Sequence, residues 1–411
     1  MSENIVRKNP FFQPYHTPHD VAPFDRIRME DFEEAMLEGI RRDDEKIEKI
    51  INNPDKPTFD NTIINVDDEK DGDGYYDLLS RVSTVFFNLL SAETNDDMDA
   101  LAQKMSPILT KHANDIRLNE RLFERIKYVH RHHRKLTPEE KMLLDNCYDG
   151  FVRSGALLDA DGKERLRQLT EEASMLGLQF SQNLLKENKA FQLHITEESQ
   201  LDGLPETARE AASLAAKELG LDGWAFTLDL PSYSPFMTYS TQRELRRQLY
   251  MAKNTECTHD NPENNIAICQ RLVNLRRELA QLLGHKTYAD YVLKHRMAGN
   301  VRNVYRLFND LIAAYKPTAV KEVAAIERMA KKLEGKDFKL EPWDFSFYSH
   351  KLQLEKYNID SEMLRPYFEL SKVIEGVFGL AKRLYGITFK ENKDIPVYHP
   401  DVKAYEVFDE D

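Results

Sequence analysis

Along most of the chain apolar residues return every three or four positions, the spacing of a helix that buries one face. Phe32, Met36, Ile40, Ile47 and Ile50 fall near one stripe and predict a first helix over about 30–52, stopped by Asn53-Pro54. The same spacing predicts helices at about 75–92 and 96–116, and another from Thr137-Pro138-Glu139-Glu140, a capping box with proline at the first helical position. Further on it predicts helices over about 161–188 and 205–219. Others start at Thr241, with Glu244 as capping-box partner, and at Asn261-Pro262-Glu263, ending before Gly284. The longest runs from Asn300 to Leu333. Pro107 and Pro317 fall inside predicted helices and predict kinks. Pro10, Pro14, Pro18 and Pro23 make 8–28 an extended entry arm.

The period changes to two at Phe191-Gln192-Leu193-His194-Ile195 and again over Trp224 to Leu230, and both stretches read as strands. Val402 to Phe408 reads as a third, apolar on both faces and therefore in need of neighbours. The three are expected to share one small sheet. Asp409-Glu410-Asp411 reads as the first half of a turn, so the chain is expected to stop in the middle of a structure.

Composition sharpens the class. The chain has 411 residues, only 16 glycines, 31% charged and 41% hydrophobic residues, which points to a mainly α protein of two or three domains. A formal charge of −13 argues against a nucleic-acid or anionic-membrane partner. The basic run Arg131-His132-His133-Arg134-Lys135 reads as a solvated helix end. Three cysteines, Cys147, Cys257 and Cys269, make no fully paired framework and suit a reducing compartment. No apolar run reaches the ~18 residues of a membrane helix, and Met1-Ser2-Glu3-Asn4 does not open a signal peptide. The expected location is cytoplasmic, or periplasmic if a leader once preceded Met1.

Candidate chemistry is sparse. No histidine is followed by glutamate, so the chain holds no His-Glu-x-x-His zinc helix, and it has no nucleophile elbow, Walker loop or dinucleotide fingerprint. Asp71-Gly72-Asp73-Gly74 suggests calcium but fails on spacing: with Asp67 as first ligand, Leu78 stands where a glutamate is required. His130, His132 and His133 lack a nearby third ligand and read as a solvated helix end. Cys257, His259 and Cys269 match no common closed site, and Cys269 reads as a buried thiol beside Ile266 and Leu272. His399, before Pro400-Asp401, could pair with a carboxylate or cap a turn.

Several stretches, in order, resemble the N-terminal half of the thimet oligopeptidase family of zinc metallopeptidases, most closely its bacterial peptidyl-dipeptidase branch. They include Asn9-Pro10-Phe11-Phe12, Pro57-Thr58-Phe59-Asp60-Asn61-Thr62-Ile63 and Phe86-Phe87-Asn88-Leu89. Tyr288-Ala289-Asp290-Tyr291-Val292-Leu293 follows, then Pro342-Trp343-Asp344, Leu364-Arg365-Pro366-Tyr367-Phe368 and His399-Pro400-Asp401-Val402. The resemblance implies a helical ellipsoid split by a channel that admits short peptides, with a small partial β-sheet. It implies 1–150 and 236–340 as channel wall, and 151–235 and 341–411 as parts of the zinc domain. It implies release of C-terminal dipeptides from short peptides, with internal cleavage as a near alternative and a non-catalytic peptide- or partner-binding protein as the rival. The family's zinc ligands, activating glutamate and intermediate-stabilising Tyr and His match no residue here. No catalytic, cofactor or metal residue is therefore assigned, zinc is expected only in the complete enzyme, and the isolated chain is expected to be inactive. The parts of the zinc domain are expected to show an uncovered apolar face.

Overall fold

A computed structural model describes residues 7–67, 77–133 and 135–409. From residue 7 to the first helix the chain is extended apart from 3-10 turns at Pro10–Phe12 and Pro18–Asp20 and a turn closed on the Pro23 carbonyl, and it is pinned by Phe11, which is fully buried. The described elements are mainly helical, as the periodicity predicts. They are α1 (Met29–Ile51), α2 (Asn65–Asp67, continuing a π-helical turn, Phe59–Ile64), α3 (Leu78–Ala92), α4 (Asp96–Arg117), α5 (Glu120–His132) and α6 (Pro138–Arg153). Then come α7 (Ala160–Ala190), α8 (Glu206–Glu218), α9 (Leu230–Tyr239), α10 (Arg243–Asn254), α11 (Ile266–Leu282) and α12 (Tyr288–Leu293). The last are α13 (Val301–Glu334), α14 (Phe345–Tyr357), α15 (Ser361–Leu364) and α16 (Leu370–Tyr385).

Caps explain many of these boundaries. Asn95, Asn119 and Asn300 each accept a hydrogen bond from a backbone amide of the first turn of α4, α5 and α13. Thr137 and Glu140 close the expected capping box at α6, with Pro138 at its first position. Pro107 and Pro317 both lie inside unbroken helices. The expected capping box at Thr241 does not form. Its hydroxyl donates instead to Asp202, and α10 begins at Arg243. The helix expected from Asn261 starts only at Ile266, because Asn264 and Asn265 are spent on a turn back to His259 and Cys257.

The single sheet expected from the three strand-like stretches resolves into two antiparallel pairs. In the first, β1 (Leu193–Ile195) pairs with β2 (Trp224–Phe226), Leu193 opposite Phe226. In the second, β3 (Thr388–Glu391) pairs with β4 (Tyr405–Phe408), Phe389 opposite Val407. The last strand takes the partner nearest in sequence, and Phe378 of α16 secures it by stacking on Phe389 at 4.1 Å and meeting Tyr405 edge-on at 5.0 Å. The second predicted strand is also shorter than its period suggested, because Asp229-Leu230-Pro231 turns the chain into α9.

The chain forms two compact units: Met1–Met175 with Glu278–Gly284 and Val377–Asp411, and Leu176–Arg277 with His285–Gly376. In the first, Ile50, Ile63, Leu122, Ile126, Leu144 and Phe151 build a core where α1, α5 and α6 meet. Gly39 lets α1 and α3 touch, since a Cβ there would lie 2.8 Å from the Leu79 backbone. In the second unit Ile195, Leu201, Phe226, Phe236 and Leu249 pack β1 and β2 against α9 and α10, and Ile326, Ala330, Phe347 and Tyr348 join the end of α13 to α14.

Candidate functional site

The candidates singled out in the sequence do not converge. The acidic glycine-rich loop falls within 68–76, outside the described residues. Of the three histidines near the end of α5, His130 stacks on Tyr148 at 4.1 Å and reaches Asp145 at 3.4 Å. His132 stacks on Tyr128, and His133 uses Nδ1 on the His130 carbonyl. Cys257 and His259 do meet one group, Glu187 of α7. It accepts from the Cys257 amide at 2.8 Å and stands 3.4 Å from His259 Nε2. Burial, then the Glu187 carboxylate, pushes the Cys257 thiol up to about 11, so the thiolate needed for nucleophilic or metal chemistry is suppressed. Cys269, expected to be buried, is exposed. The inward stripe of α11 runs through Ile268 and Leu275, one residue out of phase with the stripe read from Ile266. His399 caps a turn, Nδ1 accepting from the Asp401 amide at 3.2 Å.

Two constellations that the pattern did not reveal organise the second unit. Asp344, fully buried, accepts from Arg243 at 2.7 Å, from Arg246 at 2.9 Å and from the Glu341 amide at 3.1 Å. Arg246 is only 1% exposed, and its remaining donors go to the carbonyls of Ser240 and Trp343. Its guanidinium lies 4.3 Å from the centre of the Phe347 ring. Burial opposes ionisation of Asp344, but the hydrogen bonds from Arg243, the Glu341 amide and Arg246 outweigh it and hold the carboxyl below the usual range. This buried charge cluster sits within Pro342-Trp343-Asp344 and ties α10 to the start of α14.

The second constellation is Tyr239, His350 and Asp360. The Tyr239 hydroxyl donates to Asp360 at 2.7 Å, and His350 packs edge-on against the Tyr239 ring with Nε2 3.3 Å from the same carboxylate. Burial first, then the bond to ionised Asp360, pushes the Tyr239 phenol well above its ordinary range. Asp360 also caps α15 by accepting from the Glu362 amide, and Glu362 is bridged to Arg365 and Thr207. The cluster therefore fixes the base of Leu364-Arg365-Pro366-Tyr367-Phe368, whose last two rings stand 81% and 66% exposed. The polar cluster thus anchors the base of a segment that carries exposed aromatic rings.

The charged groups of these two clusters are engaged with one another. Among the described residues no group of three or more His, Cys, Asp or Glu side chains is placed to hold a metal ion. Nor is any described helix long and apolar enough to cross a membrane.

Comparison with known sequences supplies the class. Residues 236–411 match the model of peptidase family M3. The whole chain is similar to proteins of that kind: it is 36% identical to a dipeptidyl carboxypeptidase of Escherichia coli strain K12 over 98% of this chain and 59% of that protein. It is 32% identical to oligopeptidase A of the same organism, over 97% of this chain and 58% of the relative. Saccharolysin of Saccharomyces cerevisiae is 31% identical over 65% of this chain. The chain is thus similar to peptidases along nearly its entire length, carries the family M3 match in its second half, and spans 59% of the length of the first of these relatives.

Proposed function

We propose that this chain is the N-terminal portion of a zinc metallopeptidase that removes dipeptides from the C-termini of short peptides. The observation that carries the reading is the 36% identity to a dipeptidyl carboxypeptidase over 98% of the chain, against 32% to oligopeptidase A. In such an enzyme zinc polarises the scissile carbonyl and activates water. The ligands belong to sequence other than these 411 residues, and the chain alone is inactive. Its own share is structural: 1–150 and 236–340 wall the substrate channel, while 151–235 and 341–411 contribute to the domain that carries the metal.

Uncovered apolar surface supports the reading of this chain as a portion, on α16 within 341–411 where it was expected and also on α13 within the wall segment 236–340, where it was not. In α13 the side chains of Tyr305, Leu307, Phe308, Ile312 and Tyr315 are exposed, and so are Leu370, Val377, Leu380 and Leu384 of α16. Apolar stripes of this length are unfavourable in water and favour a covering surface, here the remainder of the peptidase. The proposed location is the cytoplasm, and the substrates are unfolded peptides short enough for a channel.

The test is to express the chain continued to the full length of its relatives beside residues 1–411 alone, and to follow peptide cleavage by mass spectrometry. The expected result is sequential loss of C-terminal dipeptides by the longer chain, stopped by a chelator and restored by zinc, and no cleavage by 1–411. Cleavage at internal bonds only would replace the dipeptidase reading with the oligopeptidase one. No cleavage by the longer chain in the presence of zinc would overturn both.

A further inference from the structure

In the first unit a cleft of 340 Å³ opens between α1, α3, α4 and α6, a volume within the usual range for small-molecule sites. Its floor is apolar, built by Ile47, Leu79, Leu109 and Phe151. One end is acidic. His112, only 7% exposed, stands with Nε2 3.1 Å from Asp43 and Nδ1 3.3 Å from Asp44. Two carboxylates thus face the one imidazole. Asp43 spends Oδ2 on the ring, while Oδ1 makes no hydrogen bond among the described residues.

The other end is basic. Arg117 lies five residues beyond His112 on α4, about 7.5 Å along the axis at the helical rise. Its guanidinium lies 5.2 Å from the centre of the Phe151 ring and makes no ion pair among the described residues. A carboxylate is the natural partner of a guanidinium fork.

We propose that this cleft binds a zwitterionic dipeptide with apolar side chains. The ammonium meets Asp43, the carboxylate meets Arg117, and the side chains cover the floor between them. An extended dipeptide spans roughly 7 Å, comparable with the helical rise between His112, which Asp43 meets, and Arg117. Binding here involves no catalysis and is independent of the peptidase reading.

The experiment is calorimetric titration of residues 1–411 with leucyl-leucine, with its N-acetylated, C-amidated form, and with octanoate. Leucyl-leucine should bind at one site, while capping both termini or substituting Arg117→Gln should weaken binding by about tenfold or more. Octanoate, which lacks the ammonium, should also bind more weakly. Ala113→Phe, which fills the cleft, should abolish binding, with circular dichroism confirming that the fold is kept. Because Arg117 is exposed, its substitution tests the site without removing a core group. No binding of leucyl-leucine to the unsubstituted chain at millimolar concentration would overturn the proposal. Undiminished binding of the capped peptide, of octanoate, or of leucyl-leucine by the Arg117→Gln chain would overturn it as well.

Discussion

Asp344→Ala should destabilise the second unit by about 3–5 kcal/mol, the usual cost of stranding a buried charge. The magnitude follows from what each partner can do afterwards. Arg243, whose side chain is 44% exposed, can turn to water and contributes little. Arg246 cannot: at 1% exposure it keeps only the Ser240 and Trp343 carbonyls and loses its counter-ion. One charge-assisted hydrogen bond is worth about 1.5–3 kcal/mol, and the lost bond to the Glu341 amide adds about 1 kcal/mol. The assay uses Trp343 itself. The chain has only two tryptophans, so a Trp224→Phe background leaves the fluorescence of Trp343 as a local reporter beside the cluster. With a urea dependence of roughly 1–3 kcal/mol per molar, the midpoint should fall by about 1–5 M. The double variant Asp344→Leu, Arg246→Met should recover most of the loss, because both charges then leave the interior together. Since the folded-state carboxyl lies below its ordinary value, its contribution is present above the unfolded pKa, near 4, and is lost as pH falls through the folded one. A midpoint shift under about 0.5 M for Asp344→Ala would refute the argument that Arg246 depends on this counter-ion.

His112 carries the opposite sign. The Asp43 hydrogen bond outweighs burial and raises its pKa, so the stabilisation is full below the unfolded value, near 6.5, and fades as pH rises through the folded one. The stability difference between the unsubstituted chain and His112→Gln, measured by urea titration from acid to alkaline pH, should therefore shrink with rising pH; a difference that grows would contradict the pairing with Asp43 and Asp44. Gly203→Ala should cost more than about 1 kcal/mol, because the backbone sits at φ +85° and a Cβ would lie 2.3 Å from the Tyr239 carbonyl. A melting temperature equal to that of the unsubstituted chain would exclude that clash. Residues 1–411 should self-associate through the exposed stripe of α13, and Ile312→Lys with Tyr315→Lys should reduce it in sedimentation experiments; unchanged association would place the contact elsewhere.

Much of the helical frame was legible because its signals are local. The 34 residues of α13 lie between the Asn300 cap and Gly335, both visible in the sequence, and the Thr137-Pro138-Glu140 start of α6 is equally self-contained. Errors arose where a distant residue claimed a local signal. Thr241 looks like a helix cap, yet Asp202 takes its hydroxyl. The single sheet failed for a related reason: periodicity identifies a strand without naming its partner, and Thr388–Glu391, the strand that precedes the last one in the chain, was the partner available.

The candidate sites were less legible because buried charge leaves no periodic trace. In Arg243-Glu244-Leu245-Arg246-Arg247 three arginines lie within five positions, and the run reads as a solvated helix face. Structure alone assigns them different fates: Arg246 goes to the interior, Arg243 half-exposed beside Asp344, and Arg247 over the Trp343 ring at 5.8 Å. The helical stripe does place Arg246 with Leu249, the apolar residue three positions on that is also buried. That phase becomes informative only once an acid is known to lie opposite, and Asp344 stands 98 residues further along the chain. Leu364-Arg365-Pro366-Tyr367-Phe368 presents the same difficulty in another form. Its aromatic rings look like core residues, and it is their mount of Tyr239, His350 and Asp360, drawn from three separate segments, that holds them at the surface. An exposed segment can therefore carry the composition of a core, and its apolar residues alone do not tell the two apart.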